Sequence, residues 1–161
     1  MPGLPDANGM DDLKEAIQSL IAEIPFFDCF TQEEVGVLLD AGTWAKAPAG
    51  NRIITEGEID LRMFVLIQGR AEVIFSEKIL AVLSSGDIFG EFGLMGAPRM
   101  AHVEAQTECL LLSFGADQLN IMPLELQVKL LRRILLVIFA RLQKINQRDW
   151  LRRQPRKDPG A

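Results

Sequence analysis

Apolar residues in this chain change their period twice. In "MDDLKEAIQSLIAEI", Leu13, Ile17, Leu20, Ile21 and Ile24 recur at helical spacing behind an acidic first turn. This predicts a helix that Pro25 stops. "FFDCF" reads as a compact aromatic turn. In "TQEEVGVLLDAG", Thr31 and Glu34 stand at capping-box spacing and Gly42 closes a second predicted helix. After Gly42 the period shortens to two. "TWAKAP", "RIITE", "RMFVLIQG", "AEVIFS", "ILAVLS", "AHVEAQ" and "ECLLLSF" read as strands, joined at Gly50-Asn51, Gly57-Glu58-Ile59-Asp60, Gly69-Arg70 and Glu77-Lys78. Seven short, evenly spaced strands favour an antiparallel barrel or sandwich. From Ala116 the helical period returns, first in "ADQLNIM" and then, behind Pro123, in a long run ending near Arg153.

That last helix carries two apolar stripes. Val128, Leu131, Leu135, Ile138, Leu142 and Ile145 advance by alternating steps of 3 and 4, the seam of a coiled coil. Leu130, Ile134 and Val137 run beside it. One stripe can be covered by the helix's own domain, and two predict a partner as well, a second copy through residues 124–145. The single-stripe alternative wedges the helix into one monomer's core.

The expected division is a mobile leader at 1–10, N-terminal helices at 11–42, strands at 43–114, C-terminal helices at 115–153 and a tail at 154–161. A length of 161 residues suits one domain. Net charge is −5, which argues against non-specific nucleic-acid binding by the chain as a whole. The charge is segregated: residues 129–161 hold ten of the 17 bases and two of the 22 acids, a net +8, against −13 for the first 128. A basic tail of this kind is either a solvated helix end or a contact for acidic partners.

The N-terminus has no basic or apolar leader pattern, and "ILLVIFA" (134–140) is too short to span a bilayer. A cytoplasmic protein without membrane insertion is therefore expected. Cys29 and Cys109 are far apart in sequence and fit a reduced compartment; oxidation sensing is the alternative use of either.

The densest chemistry lies in "FGEFGLMGAPR" (89–99), between apolar runs. Gly90 and Gly93 can take φ > 0 and admit a ligand close to the backbone. A helical turn over "EFGLM" adds N–H groups and a positive end. Arg99 offers a fork that matches phosphate oxygens, and Glu91 an acceptor for a sugar hydroxyl. An Arg99–Glu91 ion pair closing a structural loop would use the same residues. His102 is the single histidine, Tyr is absent, and no nucleophile elbow, P-loop lysine, dinucleotide fingerprint or metal-ligand spacing occurs. These absences argue against an enzyme, and neither a metal nor a cofactor is expected.

"FGEFGLMGAPRMAHVEA", placed after "TEGEIDLRMFVLIQGRAEV" and before two helices, resembles the cyclic nucleotide-binding domain family. The resemblance covers roughly residues 20–145. It implies a mainly β fold with flanking helices: an eight-stranded antiparallel β-roll, jelly-roll-like, with N-terminal helices and a long C-terminal helix that acts as hinge and lid. It further implies a regulatory module that binds cAMP or cGMP in a phosphate-binding cassette and acts on an effector protein. Carried onto this chain, the cassette is Phe89, Gly90, Glu91, Phe92, Gly93, Arg99, Met100 and Ala101. Glu91 would contact the ribose 2′-hydroxyl, Arg99 the cyclic phosphate, and amides around Gly90, Phe92 and Met100 the ligand oxygens. Two features depart from the pattern. Met100 stands where a small or hydroxylated residue is common, and the loop from Glu91 to Pro98 is short. They keep a ligand-free, dimeric interaction module as the alternative. Only "QPRKDPGA" follows "RDWLRR", so no DNA-binding module is expected.

Overall fold

The computed structural model describes residues 7–153. The expected tail (154–161) and residues 1–6 of the expected leader lie outside the described residues. Ala7–Met10 belong to the first helix, which starts earlier than the sequence pattern predicts. Helix α1 (Ala7–Ala22) leads through a 3-10 turn at Pro25–Phe27 to α2 (Gln32–Ala41). Eight strands follow: β1 (Thr43–Ala47), β2 (Arg52–Ile54), β3 (Arg62–Gln68), β4 (Arg70–Phe75), β5 (Lys78–Ser84), β6 (Ile88–Phe89), β7 (His102–Ala105) and β8 (Cys109–Gly115). α3 (Ala116–Ile121) and α4 (Leu124–Arg153) close the chain.

The capping box of α2 is formed. Thr31 N–H donates to Glu34 Oε2 at 2.8 Å, and Glu34 N–H donates to Thr31 Oγ1 at 3.2 Å. Gly42 ends the helix for a different reason than its type implies. Its φ is −73°, and a Cβ there would lie 2.4 Å from Leu112 Cδ1, so the site needs an absent side chain rather than a left-handed backbone.

The strands form two antiparallel sheets, ordered β1-β8-β3-β6 and β2-β7-β4-β5. β3 explains how they share the core. Met63, Val65 and Ile67 face the helices and pack with Phe26, Phe30, Leu38, Leu126, Leu130 and Ile134. Phe64 and Leu66, on the opposite face, join Ile54, Leu83, Phe89, Val103 and Leu111 between the sheets. Both faces are therefore buried, which is why "MFVLI" is a continuous apolar run. Each such side chain contributes about 1.5–3 kcal/mol of burial. Strand β6, two residues long, is too short for periodicity to disclose. It pairs with β3, Phe64 and Phe89 stack at 5.2 Å, and the glycine-rich segment leaves the sheet from its end.

α4 lies on the roll along Leu126, Leu130 and Ile134, extended by Val137 and Ile138. Two polar anchors fix its first half. Lys129 Nζ meets Glu34 Oε2 at 2.5 Å, and Arg133 donates to the carbonyls of Pro25 and Phe26. Val128, Leu131, Leu135, Leu142 and Ile145 are half exposed, whereas Ile138, assigned to the same seam from sequence, packs against the core. No helix among the described residues is long and apolar enough to cross a membrane.

Candidate functional site

The segment after β6 is shaped by three glycines that do different work. Gly90 takes φ 72°, ψ 15°, the left-handed conformation that costs other residues strain, and turns the chain into a single 3-10 stretch over Glu91–Met95. Gly96, φ 73°, ends that stretch. Gly93 corrects the expectation of a second positive φ at its position, since the positive values fall at Gly90 and Gly96. A Cβ on Gly93 would lie 2.3 Å from the Asp60 carbonyl oxygen and 2.6 Å from Arg99 Nη1. It is a glycine so that Arg99 can reach the backbone.

Arg99 is 5% exposed and points into the protein. Its Nη1 donates to Gly90 O and its Nη2 to Arg62 O, both at 2.6 Å. Asp60 Oδ2 lies 3.4 Å from Nη2, and the guanidinium sits over the Phe64 ring at 5.9 Å. The backbone is held as firmly: Gly57 N–H donates to Arg99 O and Arg99 N–H to Glu58 O. One donor is left. Arg99 Nε is buried and has no hydrogen-bond partner. A buried unpaired donor on a cation is costly unless an acceptor completes it.

The loop Gly57–Asp60 thus belongs to the site, although its composition reads only as a turn. Asp60 also takes two hydrogen bonds from Arg62, at 2.8 and 2.9 Å. Those bonds hold its carboxyl below the usual aspartate range against the opposing effect of burial, and raise the Arg62 guanidinium in turn.

Glu91 does not pair with Arg99, which removes the loop-closing ion pair. Its partner is Arg141 of α4, with Nη1 3.5 Å from Oε1; Arg141 also donates to Ile88 O and has Asp87 at 3.9 Å. The sequence carried a signal for this. The buried stripe Leu130, Ile134, Val137 continues by a step of four to position 141, so the next inward residue is a cation.

These residues border a cavity of about 560 Å³ between the open end of the roll, the glycine-rich turn and α4. Its size falls in the range of small-molecule sites. Ile54, Val73, Leu83 and Val103 make an apolar wall, and Glu91, Arg99 and Arg141 are the charged groups on it. All the residues expected at the site line it except Gly93, which lies behind Arg99. Phe92 and Met100 are 55% and 72% exposed, at its rim. A wider groove of about 890 Å³ runs between α1 and Trp44 and Leu110, but its polar residues Lys46, Gln68 and Glu108 are exposed. The first cavity is distinguished by Arg99, which lines it and carries a buried, unpartnered Nε.

Residues 44–122 match the family model for the cyclic nucleotide-binding domain. The chain belongs to that family. The domain is 31% identical over 120 residues to a cGMP-dependent protein kinase of Eimeria tenella, covering 74% of this chain and 12% of the kinase. It is 30% identical over 113 residues to a cAMP-dependent protein kinase regulatory subunit of Yarrowia lipolytica, covering 68% of this chain and 30% of that protein. The chain thus spans less than a third of these relatives. Among solved structures, a cyclic nucleotide-binding domain from Methylobacillus flagellatus superposes with a TM-score of 0.72 at 26% identity, over 91% of this chain and 88% of that one.

Proposed function

We propose that the domain is a cytoplasmic, non-catalytic sensor that binds a cyclic purine nucleotide, cAMP or cGMP, and signals through α4 to an effector protein. The observation that carries this reading is the buried, unpaired Nε–H of Arg99, a residue that lines a cavity walled mainly by apolar side chains. A phosphodiester supplies one negative charge and an oxygen acceptor, which matches a buried cation with one unpartnered nitrogen. Glu91, an acceptor-only carboxylate, suits the 2′-hydroxyl of the ribose. The apolar walls take the rest of the nucleotide.

Occupancy reaches α4 through Glu91. Arg141 ties that helix to Glu91 and to the Ile88 carbonyl, so a ligand that shares Glu91 biases where the helix rests. The half-exposed seam of α4 from Val128 to Ile145 supports a second element of the proposal, a homodimer through that helix. The same seam is what a ligand-free dimeric module would use, so the two readings separate on binding alone.

Isothermal calorimetry with cAMP and cGMP is the test. Binding of either nucleotide, reduced at least tenfold in Arg99→Lys, is the expected result, since lysine keeps a charge but cannot fill three acceptors in one plane. No heat with either nucleotide at high micromolar concentration leaves the ligand-free module.

A further inference from the structure

His102, the one histidine of the chain, follows Arg99 closely and is not among the residues that line the cavity. It opens β7 where the pairing with β2 runs out, one residue before the Ile54–Val103 pair. Beyond that pair the two segments stay joined. Gly57 N–H donates to Arg99 O at 2.8 Å, and Arg99 N–H donates to Glu58 O at 2.9 Å. The next bond is made to a side chain: Glu56 N–H donates to His102 Nδ1 at 2.9 Å. The imidazole thus clamps the segment 56–60, which sets the Asp60 carboxylate against Arg99.

That clamp exists in one charge state of the ring. Nδ1 accepts only while it carries no hydrogen, so the hydrogen of the neutral ring sits on Nε2. Imidazole is the side chain that changes charge between about pH 5 and 8. Once protonated, Nδ1 is a second donor facing the Glu56 N–H, and the bond is lost. The surrounding charges then act on the cation. From the loop after β2, Glu56 Oε2 lies 3.9 Å from Nε2. Two residues along β7, Glu104 is held by Arg52 of β2 at 2.6 Å. On β4, uncharged Ile74 lies opposite His102, and Glu72, opposite Glu104, accepts from Gln106. The imidazolium is therefore drawn to the Glu56 carboxylate and away from the Glu56 amide. The side chain is 26% exposed, so a proton reaches it in the folded protein.

We infer that His102 is a positioning residue of the cassette: its neutral ring holds the segment 56–60 against Arg99, and its protonation weakens nucleotide binding. The inference rests on the nucleotide reading above. One lost hydrogen bond corresponds to a factor of about three to ten in affinity. The coupling is reciprocal, so a nucleotide that favours the clamped cassette also favours the neutral ring and makes it harder to protonate.

Calorimetry with cAMP and cGMP at about pH 7.5 and about pH 5.5, on the wild type and on His102→Asn, tests the assignment. Asparagine offers a neutral acceptor in place of Nδ1. The wild type is expected to bind about three- to tenfold less tightly at the lower pH, and His102→Asn to bind equally at both. Because the chain has one histidine, proton NMR of its ring reads the coupling directly. The midpoint of the ring's titration should move to lower pH when saturating nucleotide is added. Equal wild-type affinity at the two pH values, a pH dependence that survives in His102→Asn, or a midpoint indifferent to nucleotide would each overturn the role of His102 while leaving nucleotide binding intact. If neither nucleotide binds at either pH, the nucleotide reading itself falls and the coupling with it. The NMR comparison uses the wild type alone, so it decides even if the variant fails to fold.

Discussion

Asp60 and Arg99 meet at 3.4 Å at the back of the cavity, and the carboxylate reaches that place by holding Arg62 with two shorter bonds. Asp60 is not among the residues that line the cavity, yet it compensates the charge of the buried Arg99 and aims it. Asp60→Asn keeps the shape and removes the charge. The variant is expected to lose about 1 kcal/mol of stability at pH 7, the modest figure reflecting a partly solvated pair.

The pH dependence of that loss has a defined sign. The folded Asp60 carboxyl lies below its unfolded value, so its contribution is full above the unfolded value of about 4 and is lost as pH falls through the lower folded one. Urea midpoints of wild type and Asp60→Asn should therefore differ at pH 7 and converge in acid. A constant difference across that range would remove Asp60 as the titrating partner.

Much of this architecture can be read from residue order, because most strands of the roll are long enough to display their period and the helices have stops. The short β6 could not be read, since two residues carry no period. Asp60 was hidden because aspartate after glycine is ordinary turn chemistry, and its role depends on Arg99 folding back from 39 residues later. Arg141 was legible in principle as a charge on an inward stripe, but it stands at the edge of "ILLVIFA" and passes for a boundary of that run. Gly93 shows the limit from the other side. Sequence identifies the glycine but not whether φ or space demands it.

That distinction predicts opposite effects for two glycine-to-alanine changes. A Cβ at position 93 would press on the Asp60 carbonyl at 2.3 Å, a backbone atom that cannot rotate away, and on Arg99 Nη1. Gly93→Ala should cost about 1–3 kcal/mol as overpacking does, and weaken nucleotide binding by displacing the guanidinium. Gly36 lies inside α2 with no atom within 4 Å of the position a Cβ would take. Gly36→Ala should stabilise by roughly 0.5–1 kcal/mol through helix propensity and raise the melting temperature by about 1–4 °C. Thermal unfolding followed by circular dichroism reads both. A neutral Gly93→Ala would mean that the turn has slack the close approach does not imply.

The outer stripe of α4 gives the last prediction. Leu130 and Ile134 are 0% and 5% exposed and belong to the core, whereas Leu131, Leu135 and Leu142 are 48%, 51% and 49% exposed one step round the helix. Half-exposed leucines at heptad spacing along several turns form the seam that a second helix would cover. Leu135→Glu places a charge at the centre of that seam, where a dimer would have to bury it. Sedimentation equilibrium should find a dimer for the wild type and a monomer for Leu135→Glu. The variant should keep the secondary structure of the wild type, because position 135 makes no part of the buried cluster that holds α4 to the roll. Nucleotide affinity should stay within a few-fold, since the cavity is bordered by the inward face of α4 at Arg141. A wild type that stays monomeric at high concentration would leave the seam without a homodimer to explain it, and a Leu130→Glu control, aimed at the core, should unfold the domain rather than split a pair.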